Sequence, residues 1–298
     1  MGVHQDLPAW RPAARRARAR LLAAMPLTER RIDVAGVSTV VLDGGDGPPL
    51  ILLHGGIECG GVYWGPVVRD LVRTHHVIVP DIPGVGASAS AGRLRPAVFA
   101  DWFAALLRRI GVTTPMLVAH SLLGSVAVRF GATHGALLGR LVIYAAPAVS
   151  EYHMPWGLRT TAVRFAIRQT ERNSARYERW ALHDLERVRD RDPEWLDAFD
   201  VYLRACGAVG HVKRTVRQLV MSETRRIPDD ELRRVGVPTA LLWGRDDRMV
   251  PLEVGQRASA RLGWPLHVID DAGHAAHMEQ PVAFVRALHA TTTQEAAS

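Results

Sequence analysis

A serine, a pair of aspartates and a histidine each follow a short apolar segment, where their side chains could do chemistry together. Ser121 follows MLVAH, Asp246 and Asp247 follow ALLWGR, and His274 follows LHVIDDAG. A serine hydroxyl is a weak nucleophile at neutral pH, so it needs a neighbouring base and a third group that fixes the tautomer of that base. Histidine and aspartate can supply these two roles. The residue types therefore indicate acyl transfer by a serine nucleophile.

Short apolar segments alternate with helical patterns along most of the chain, and these elements must position the reactive residues. Each apolar segment is rich in Val, Leu or Ile and ends in a turn signal, as strands buried on both faces do. They lie at 31–36 and 38–45, a hairpin around Gly36, and at 48–56, 75–84, 115–121, 140–147, 237–244 and 265–273. Apolar residues at three- and four-residue spacing predict helices over 62–73, 96–110, 122–134, 252–262 and 279–290.

This alternation predicts an α/β fold with a mostly parallel sheet and helices on both faces. Ligands of such sheets bind beyond the carboxyl ends of the strands, which is where Ser121 and His274 fall.

Residues 148–236 interrupt the alternation, because the segment contains no convincing strand. Helical patterns cover 158–190, 193–206, 209–223 and 228–235, and Asp192 and Pro193 form a helix start signal. Insertions of this length are usually functional. We therefore expect a sheet domain with a helical insertion.

Four motifs in this order resemble the α/β-hydrolase superfamily, specifically its single-chain members with a helical cap. They are LLHGG at 52–56, DIPGVGASA at 81–89, AHSLLGS at 119–125, and the pair WGRDDRMVP at 243–251 with DAGHAAHMEQP at 271–281. The order Ser, Asp, His along the chain is also the order of this superfamily. The resemblance covers residues 31–290 and implies the α/β-hydrolase fold. The core would be 31–147 and 237–298, and the cap 148–236.

The resemblance implies roles for individual residues. GRDDRMVP matches a Gly-x-x-Asp stretch of the family, which makes Asp247 rather than Asp246 the acid of the catalytic triad. The histidine after glycine in AGHAAHMEQP makes His274 the base, while His277 and Glu279 would have structural roles.

An oxyanion hole is expected beside Ser121, formed by two backbone N–H groups. One donor would be Leu122, at the start of the helix that follows the nucleophile. The other would come from the loop after LLHG, at Gly56 or, with the register shifted by one residue, at Ile57.

The segment around Ser121 departs from the G-x-S-x-G pattern at both glycines. Small residues are favoured there because the backbones of strand and helix come close together. Ala119 is small but Leu123 is not. We expect Leu123 to fill space left by Ala145 or Ala146 on the adjacent strand. The departure bears on the predicted reaction more than on the fold.

The sequence predicts a serine hydrolase that acts on a carboxylic ester, a lactone or a related carbonyl compound of small to medium size. Ile57, Tyr152 and Trp156 are candidate substrate-binding residues. A cap indicates a partly apolar substrate enclosed between cap and sheet. Three alternatives stay open: a C–C bond hydrolase, a lyase or ring-forming enzyme, and a non-catalytic protein that binds a ligand in the same pocket.

Composition limits the partners that we expect. The net charge of +7 comes almost entirely from arginine, since Lys213 is the only lysine, and no nucleic-acid-binding motif accompanies it. The charge therefore does not indicate nucleic-acid binding. Residues 1–30 are predicted to form a basic amphipathic helix or tail that packs on the domain surface or contacts a partner or a membrane surface.

The sequence also predicts which covalent links, cofactors and targeting segments the protein lacks. The 2 cysteines are far apart and the 13 histidines lack ligand spacing, so we expect no disulfide, metal or other cofactor. There is no apolar run long enough to span a membrane and no secretory signal pattern. We expect a soluble, cytoplasmic protein with a small-molecule substrate; the oligomeric state stays open.

Overall fold

An eight-stranded sheet forms the centre of the computed structural model, which describes residues 10–56 and 58–293. The strand order is β1-β2-β4-β3-β5-β6-β7-β8. β1 and β2 form an antiparallel hairpin and β2 pairs antiparallel with β4, whereas every neighbouring pair from β4 to β8 is parallel. The strands are β1 (Thr28–Val34), β2 (Val37–Gly44), β3 (Pro49–Leu53), β4 (His76–Pro80), β5 (Met116–His120), β6 (Arg140–Tyr144), β7 (Thr239–Gly244) and β8 (Leu266–Ile269).

Helices cover the sheet, and six of them lie between β6 and β7. In chain order the helices are α1 (Pro12–Ala23), α2 (Gly65–Leu71), α3 (Pro96–Ile110), α4 (Ser121–His134), α5 (Trp156–Ile167), α6 (Glu171–Ala181), α7 (Leu185–Arg191), α8 (Pro193–Gly207), α9 (Gly210–Glu223), α10 (Asp229–Leu232), α11 (Leu252–Leu262), α12 (Ala276–Glu279) and α13 (Pro281–Thr293). We call α5 to α10 the inserted helices. No helix within the described residues has the combination of length and apolar character needed to cross a membrane.

The α/β prediction is confirmed, and each predicted strand is present at its expected place. Two predicted helices are divided in the structure. The segment 158–190 contains three helices, because Thr170 and Asp184 accept hydrogen bonds from backbone N–H groups three residues later and so begin new helices. The segment 279–290 contains the end of α12 and most of α13, since Pro281 cannot continue the helix before it.

The N-terminal helix α1 joins the core to the inserted helices. Arg18 on α1 is buried; its Nε donates a hydrogen bond to the Tyr202 hydroxyl of α8 at 3.2 Å, and its guanidinium pairs with Glu29 on β1. The ring of Trp10 packs edge-on against Tyr202. The predicted basic helix of residues 1–30 is thus a packed element from Pro12 onward, and residues 1–9 lie outside the described residues.

Candidate active site

Ser121 lies at the turn between β5 and α4, at the carboxyl edge of the sheet. Its φ is +53°, in the left-handed region that costs a residue with a side chain about 1–3 kcal/mol. The strand ends at His120 and the helix begins at the next residue, so the chain reverses direction at the serine itself. This places the half-buried Ser121 side chain in a cavity above the sheet.

His274 lies between Ser121 and Asp247 and is hydrogen-bonded to both. Its Nε2 is 2.9 Å from Ser121 Oγ, and its Nδ1 is 2.8 Å from Asp247 Oδ2. Because Nδ1 donates to the carboxylate, Nε2 is left as the acceptor for the serine hydroxyl. The three residues chosen from the sequence are therefore brought together in the order that a nucleophile, a base and an orienting acid require.

Asp247 is held by the backbone as well as by the histidine. Its side chain is buried, and Oδ1 accepts the N–H groups of Met249 and Val250, each at 2.8 Å. Three hydrogen bonds to this buried carboxylate fix its direction. Of the two consecutive aspartates, Asp247 is the one bonded to His274.

His120 supports the loop that carries His274. Its Nε2 donates to the carbonyl oxygen of His274 at 3.0 Å, and its ring packs between those of Tyr63 and Tyr144. Burial lowers the pKa of His120 well below its usual value, so the ring is neutral. A Cβ on Gly55 would lie 2.8 Å from its Nδ1, so a side chain at Gly55 would force this ring to move.

Glu279 and His277 also stabilise the loop that carries His274. The Glu279 carboxylate accepts the N–H of Gly273 at 2.6 Å and that of Asp184, on the inserted segment, at 2.7 Å. His277 Nε2 donates to the Tyr63 carbonyl at 3.2 Å, and burial lowers the pKa of His277 to about 3. Both residues thus have the structural contacts that the resemblance implied.

The two expected oxyanion donors are neighbours. Gly56 lies in the loop after β3, close to the start of α4. A Cβ on Gly56 would overlap the side chain of Leu122. Gly56, Leu122 and Ser121 line the same cavity. The alternative donor and candidate substrate contact, Ile57, lies outside the described residues.

Asp81 fixes the loop that contains Gly56. This buried carboxylate accepts the N–H of Gly61 at 2.6 Å and of Ala87 at 2.7 Å, and so joins the glycine-rich loop to the DIPGVGASA segment. Burial raises the pKa of Asp81 to about 6. The motif at 81–89 therefore affects the site indirectly, because it positions the loop that contains Gly56.

A cavity of about 510 Å³ lies between the sheet edge and the inserted helices. Its wall is mainly apolar and includes Leu158, Phe165, Leu196, Phe199, Leu203 and Met278. Tyr152 lines it, as predicted from the sequence, and its hydroxyl donates to the Met249 carbonyl at 2.8 Å. A pocket of this size and polarity suits a small or medium ligand with apolar parts.

The structure corrects the prediction for Trp156, which does not line the cavity. Trp156 is 76% exposed and its ring lies beneath the Arg159 guanidinium, with 5.1 Å between the guanidinium carbon and the ring centroid. It is the first residue of α5, and the residues of this helix that line the cavity lie further along it: Leu158, Ala162, Val163, Phe165, Ala166 and Ile167. Trp156 therefore contacts solvent and Arg159 rather than the cavity.

Two acidic residues of the cavity wall were not predicted from the sequence. Glu58 and Glu178 line the cavity, and burial among apolar groups raises the pKa of each to about 7. Glu178 also accepts a hydrogen bond from the Ser174 hydroxyl at 3.4 Å. One feature of the sequence could have identified Glu58 as a site residue: it is the single acidic residue in the loop HGGIECGG.

The departure at Leu123 is accompanied by a shifted glycine. Leu123 is fully buried, and the next residue, Gly124, makes the close approach to the segment that follows β6: a Cβ on it would lie 2.7 Å from Ala146 Cβ and 2.9 Å from the Ala119 carbonyl. The need for a residue without a side chain thus falls three positions after Ser121. That Leu123 fills space beside Ala145 or Ala146 stays a prediction.

Groups suited to metal binding or disulfide formation are not formed within the described residues. No three His, Cys, Asp or Glu side chains of 10–56 and 58–293 are arranged to hold a metal ion. Cys59 and Cys206 are both buried and free.

Known hydrolases resemble this chain in sequence and in fold. A family model described as the alpha/beta hydrolase fold matches residues 48–281. The 2-hydroxy-6-oxo-2,4-heptadienoate hydrolase of Pseudomonas putida is 25% identical over 269 residues, covering 86% of this chain and 93% of the relative. The 2-hydroxy-6-oxononadienedioate/2-hydroxy-6-oxononatrienedioate hydrolase of Burkholderia vietnamiensis is 28% identical, covering 80% and 84%. The crystal structure of carboxylesterase CesB from Bacillus subtilis, 22% identical, superposes with a TM-score of 0.78 over 94% of this chain and 97% of that one.

Proposed function

The chain belongs to the alpha/beta hydrolase fold family and is a hydrolase, and from that premise we propose that it cleaves a carboxylic ester, a lactone or a related carbonyl compound with Ser121 as the nucleophile. The observation that carries this proposal is the continuous hydrogen-bond path from Ser121 Oγ through His274 to Asp247, with distances of 2.9 and 2.8 Å. A serine used only as a helix N-cap needs neither partner.

Each residue of this hydrogen-bond path then has a role in the reaction. Ser121 Oγ attacks the carbonyl carbon while His274 Nε2 takes its proton, and Asp247 stabilises the imidazolium that forms. The N–H groups of Leu122 and Gly56 hold the negative oxygen of the tetrahedral intermediate, a contribution typically worth about 10²–10³ in rate per donor. His274 next protonates the leaving group, and water, activated by the same histidine, releases the acyl group from Ser121.

The inserted helices act in this proposal as a cap over the substrate, corresponding to residues 148–236. They supply Leu158, Phe165, Leu196 and Leu203 to the cavity wall, whereas the core supplies the reacting groups. Tyr152 stands at the junction of the two and is proposed as a substrate contact. Exclusion of water by the cap strengthens the electrostatic interactions at the carbonyl.

A second candidate function is hydrolysis of a C–C bond beside a carbonyl. The two sequence relatives are named for dienoate and dienedioate substrates, compounds that carry carboxylates. Lys213 on α9 lines the cavity and has no carboxylate partner among the described residues, so it is available to an anionic substrate. This cation is the observation that favours the second candidate.

Labelling with a fluorophosphonate probe tests the proposed nucleophile. We expect one labelled site in the wild-type protein, absent in Ser121→Ala and retained in Ser222→Ala, a control serine on α9. Labelling at another serine, or none in folded protein, would contradict the proposal. Comparing p-nitrophenyl esters with dienoate substrates separates the two candidates. Lys213→Met should raise the KM of the dienoate alone if C–C hydrolysis is the reaction.

A further inference from the structure

The inserted helices expose large apolar side chains around the cavity mouth. Of the large apolar residues exposed within the described part of the chain, four are on these helices: Trp156 at 76%, Val163 at 57%, Ile167 at 68% and Met221 at 59%. Scattered exposed apolar residues are normal, but a cluster of this kind indicates an interaction surface.

Three of these residues form a stripe along the outer side of α5. Trp156, Val163 and Ile167 are seven and four residues apart, spacings that place side chains on one face of a helix. The opposite face carries Leu158, Thr161 and Phe165, all buried. Helix α5 therefore has two apolar faces, and packing of the protein accounts only for the inner one.

The stripe is continuous with the cavity of the active site. Val163 and Ile167 from α5 and Met221 from α9 line the cavity and are also exposed to solvent. The outer apolar face thus leads into the space where Ser121 and His274 lie. A partner seated on this face would be directly at the entrance of the active site.

Arginines flank the stripe. Arg159, Arg164 and Arg168 are exposed, and none forms an ion pair with a carboxylate among the described residues. Arg217 on α9, also without such a pair, lines the cavity beside Met221. Glu171, an exposed acid on the following helix, is 3.4 Å from Arg204. The surface around the mouth is therefore apolar at its centre and positively charged at its edge.

We propose that this surface, formed by Trp156, Val163 and Ile167 of α5 with Met221 of α9 and the arginines beside them, docks on an anionic lipid surface. A helix with an aromatic and aliphatic face and basic flanks lies in the interface of such a membrane, and long arginine side chains reach the headgroups while their stems cover apolar surface. The surface delivers an amphiphilic substrate to the mouth of the cavity.

The charges argue against a second copy of the chain as the occupant. Two copies meeting through this face would bring together at least six arginines that have no carboxylate partner in either copy, and like charges opposed in this way are costly. One stripe on a helix of 12 residues is also small beside the roughly 800 Å² per partner of a stable dimer. In a membrane, by contrast, the anionic headgroups pair with the arginines, and the apolar stripe is buried in the acyl region.

Cosedimentation with vesicles tests the proposal. The full chain carrying Ser121→Ala is used so that no lipid is hydrolysed, with vesicles of phosphatidylcholine alone or mixed with equal parts of phosphatidylglycerol. We expect binding to the mixed vesicles that weakens with salt. Arg164→Glu should lower the partition coefficient about fivefold or more, since each basic residue near an anionic surface contributes about that factor. Ile167→Ser should lower it about tenfold.

Matched controls separate this face from general charge and hydrophobicity. Val282→Ser removes an apolar side chain of similar exposure on α13, and Arg109→Glu inverts an exposed arginine on α3. Neither should change vesicle binding beyond twofold. Equal losses in these controls, no preference for phosphatidylglycerol, or a dimer that Ile167→Ser abolishes would overturn the proposal. Because binding is measured in Ser121→Ala protein, its failure leaves the proposed hydrolysis untouched, and failed serine labelling leaves vesicle binding unaffected.

Discussion

Replacing Asp247 by asparagine tests the proposed role of the acid without removing the contacts that hold it. The amide oxygen of Asn can still accept the N–H groups of Met249 and Val250, which now bond Asp247 Oδ1 at 2.8 Å each. The NH₂ group then faces His274 Nδ1 and makes it an acceptor. Nε2 consequently carries the proton, which is the wrong tautomer for accepting the proton of Ser121, and an exchange of this kind costs about 10⁴ in kcat.

The residual activity of Asp247→Asn comes from molecules in which the asparagine amide has the opposite orientation. If the oxygen faces His274, two buried N–H groups lose their acceptor, at about 1–3 kcal/mol each. A total of about 2–6 kcal/mol limits the fraction of active molecules to between roughly one in 30 and fewer than one in 10⁴. We therefore expect Asp247→Asn to lose about 10³-fold in kcat/KM, within the bounds of 30 and 10⁴, while its Tm stays near that of the wild type.

The assay is hydrolysis of a p-nitrophenyl ester together with thermal unfolding followed by circular dichroism. Asp247→Ala should be equally inactive and also less stable, because both N–H groups are then left without an acceptor. Asp246→Asn is the matched control at the adjacent aspartate, and its kcat/KM should stay within about twofold of the wild type. Asp247→Asn protein with less than a tenfold loss would refute the reasoning that the acid sets the histidine tautomer.

Three further predictions concern single residues of the site. Ser121→Gly should be about 1 kcal/mol more stable to urea than Ser121→Ala, because glycine adopts the φ of +53° without strain; equal stabilities would argue against strain at the turn. Gly124→Ala should lose about 1–3 kcal/mol of stability, since its Cβ would lie 2.7 Å from Ala146 Cβ; urea unfolding measures the loss, and an unchanged midpoint would contradict the close approach. Glu58, whose pKa burial raises to about 7, binds its proton more tightly in the folded state, so its contribution to stability is full below pH 4.5 and falls as pH rises to about 7. The Tm of Glu58→Gln relative to wild type should therefore increase between these pH values and level off above them, and a constant difference across that range would show that Glu58 does not titrate there.

The features that the sequence predicted correctly are those set by local periodicity and by chain order. Alternating apolar strands and amphipathic helices require a covered parallel sheet, and in such a sheet residues after different strands converge at one edge. Ser121 and His274, 153 residues apart, are brought within hydrogen-bond distance for this reason. Helix limits at Pro96 and Pro193 were also predictable, since proline in the first turn fixes a helix start.

The features that were missed depend on direction rather than on periodicity. Trp156 was expected in the cavity because it follows the strand that ends near Pro147, but it begins α5 with its ring exposed beside Arg159. Val163 and Ile167 lie on the same face two and three turns later, and they do line the cavity. A helix with two apolar faces gives no pattern that distinguishes the inner one. Glu58 lies in an irregular loop, where side-chain direction depends on the individual backbone angles, and its approach to the cavity is visible only in three dimensions.

The bond between Arg18 and Tyr202 has a consequence for the growing polypeptide. The two residues are 184 positions apart, so α1 leaves the ribosome long before its partner helix has been made. At about 5–20 residues per second, this interval lasts about 10–40 s. During that time α1 lacks the partner that covers its buried face of Ala14, Ala17, Arg18 and Leu21, and the arginine finds its hydroxyl partner only once α8 has been synthesised. The first helix of the chain therefore reaches its final environment only after seven further helices have been made.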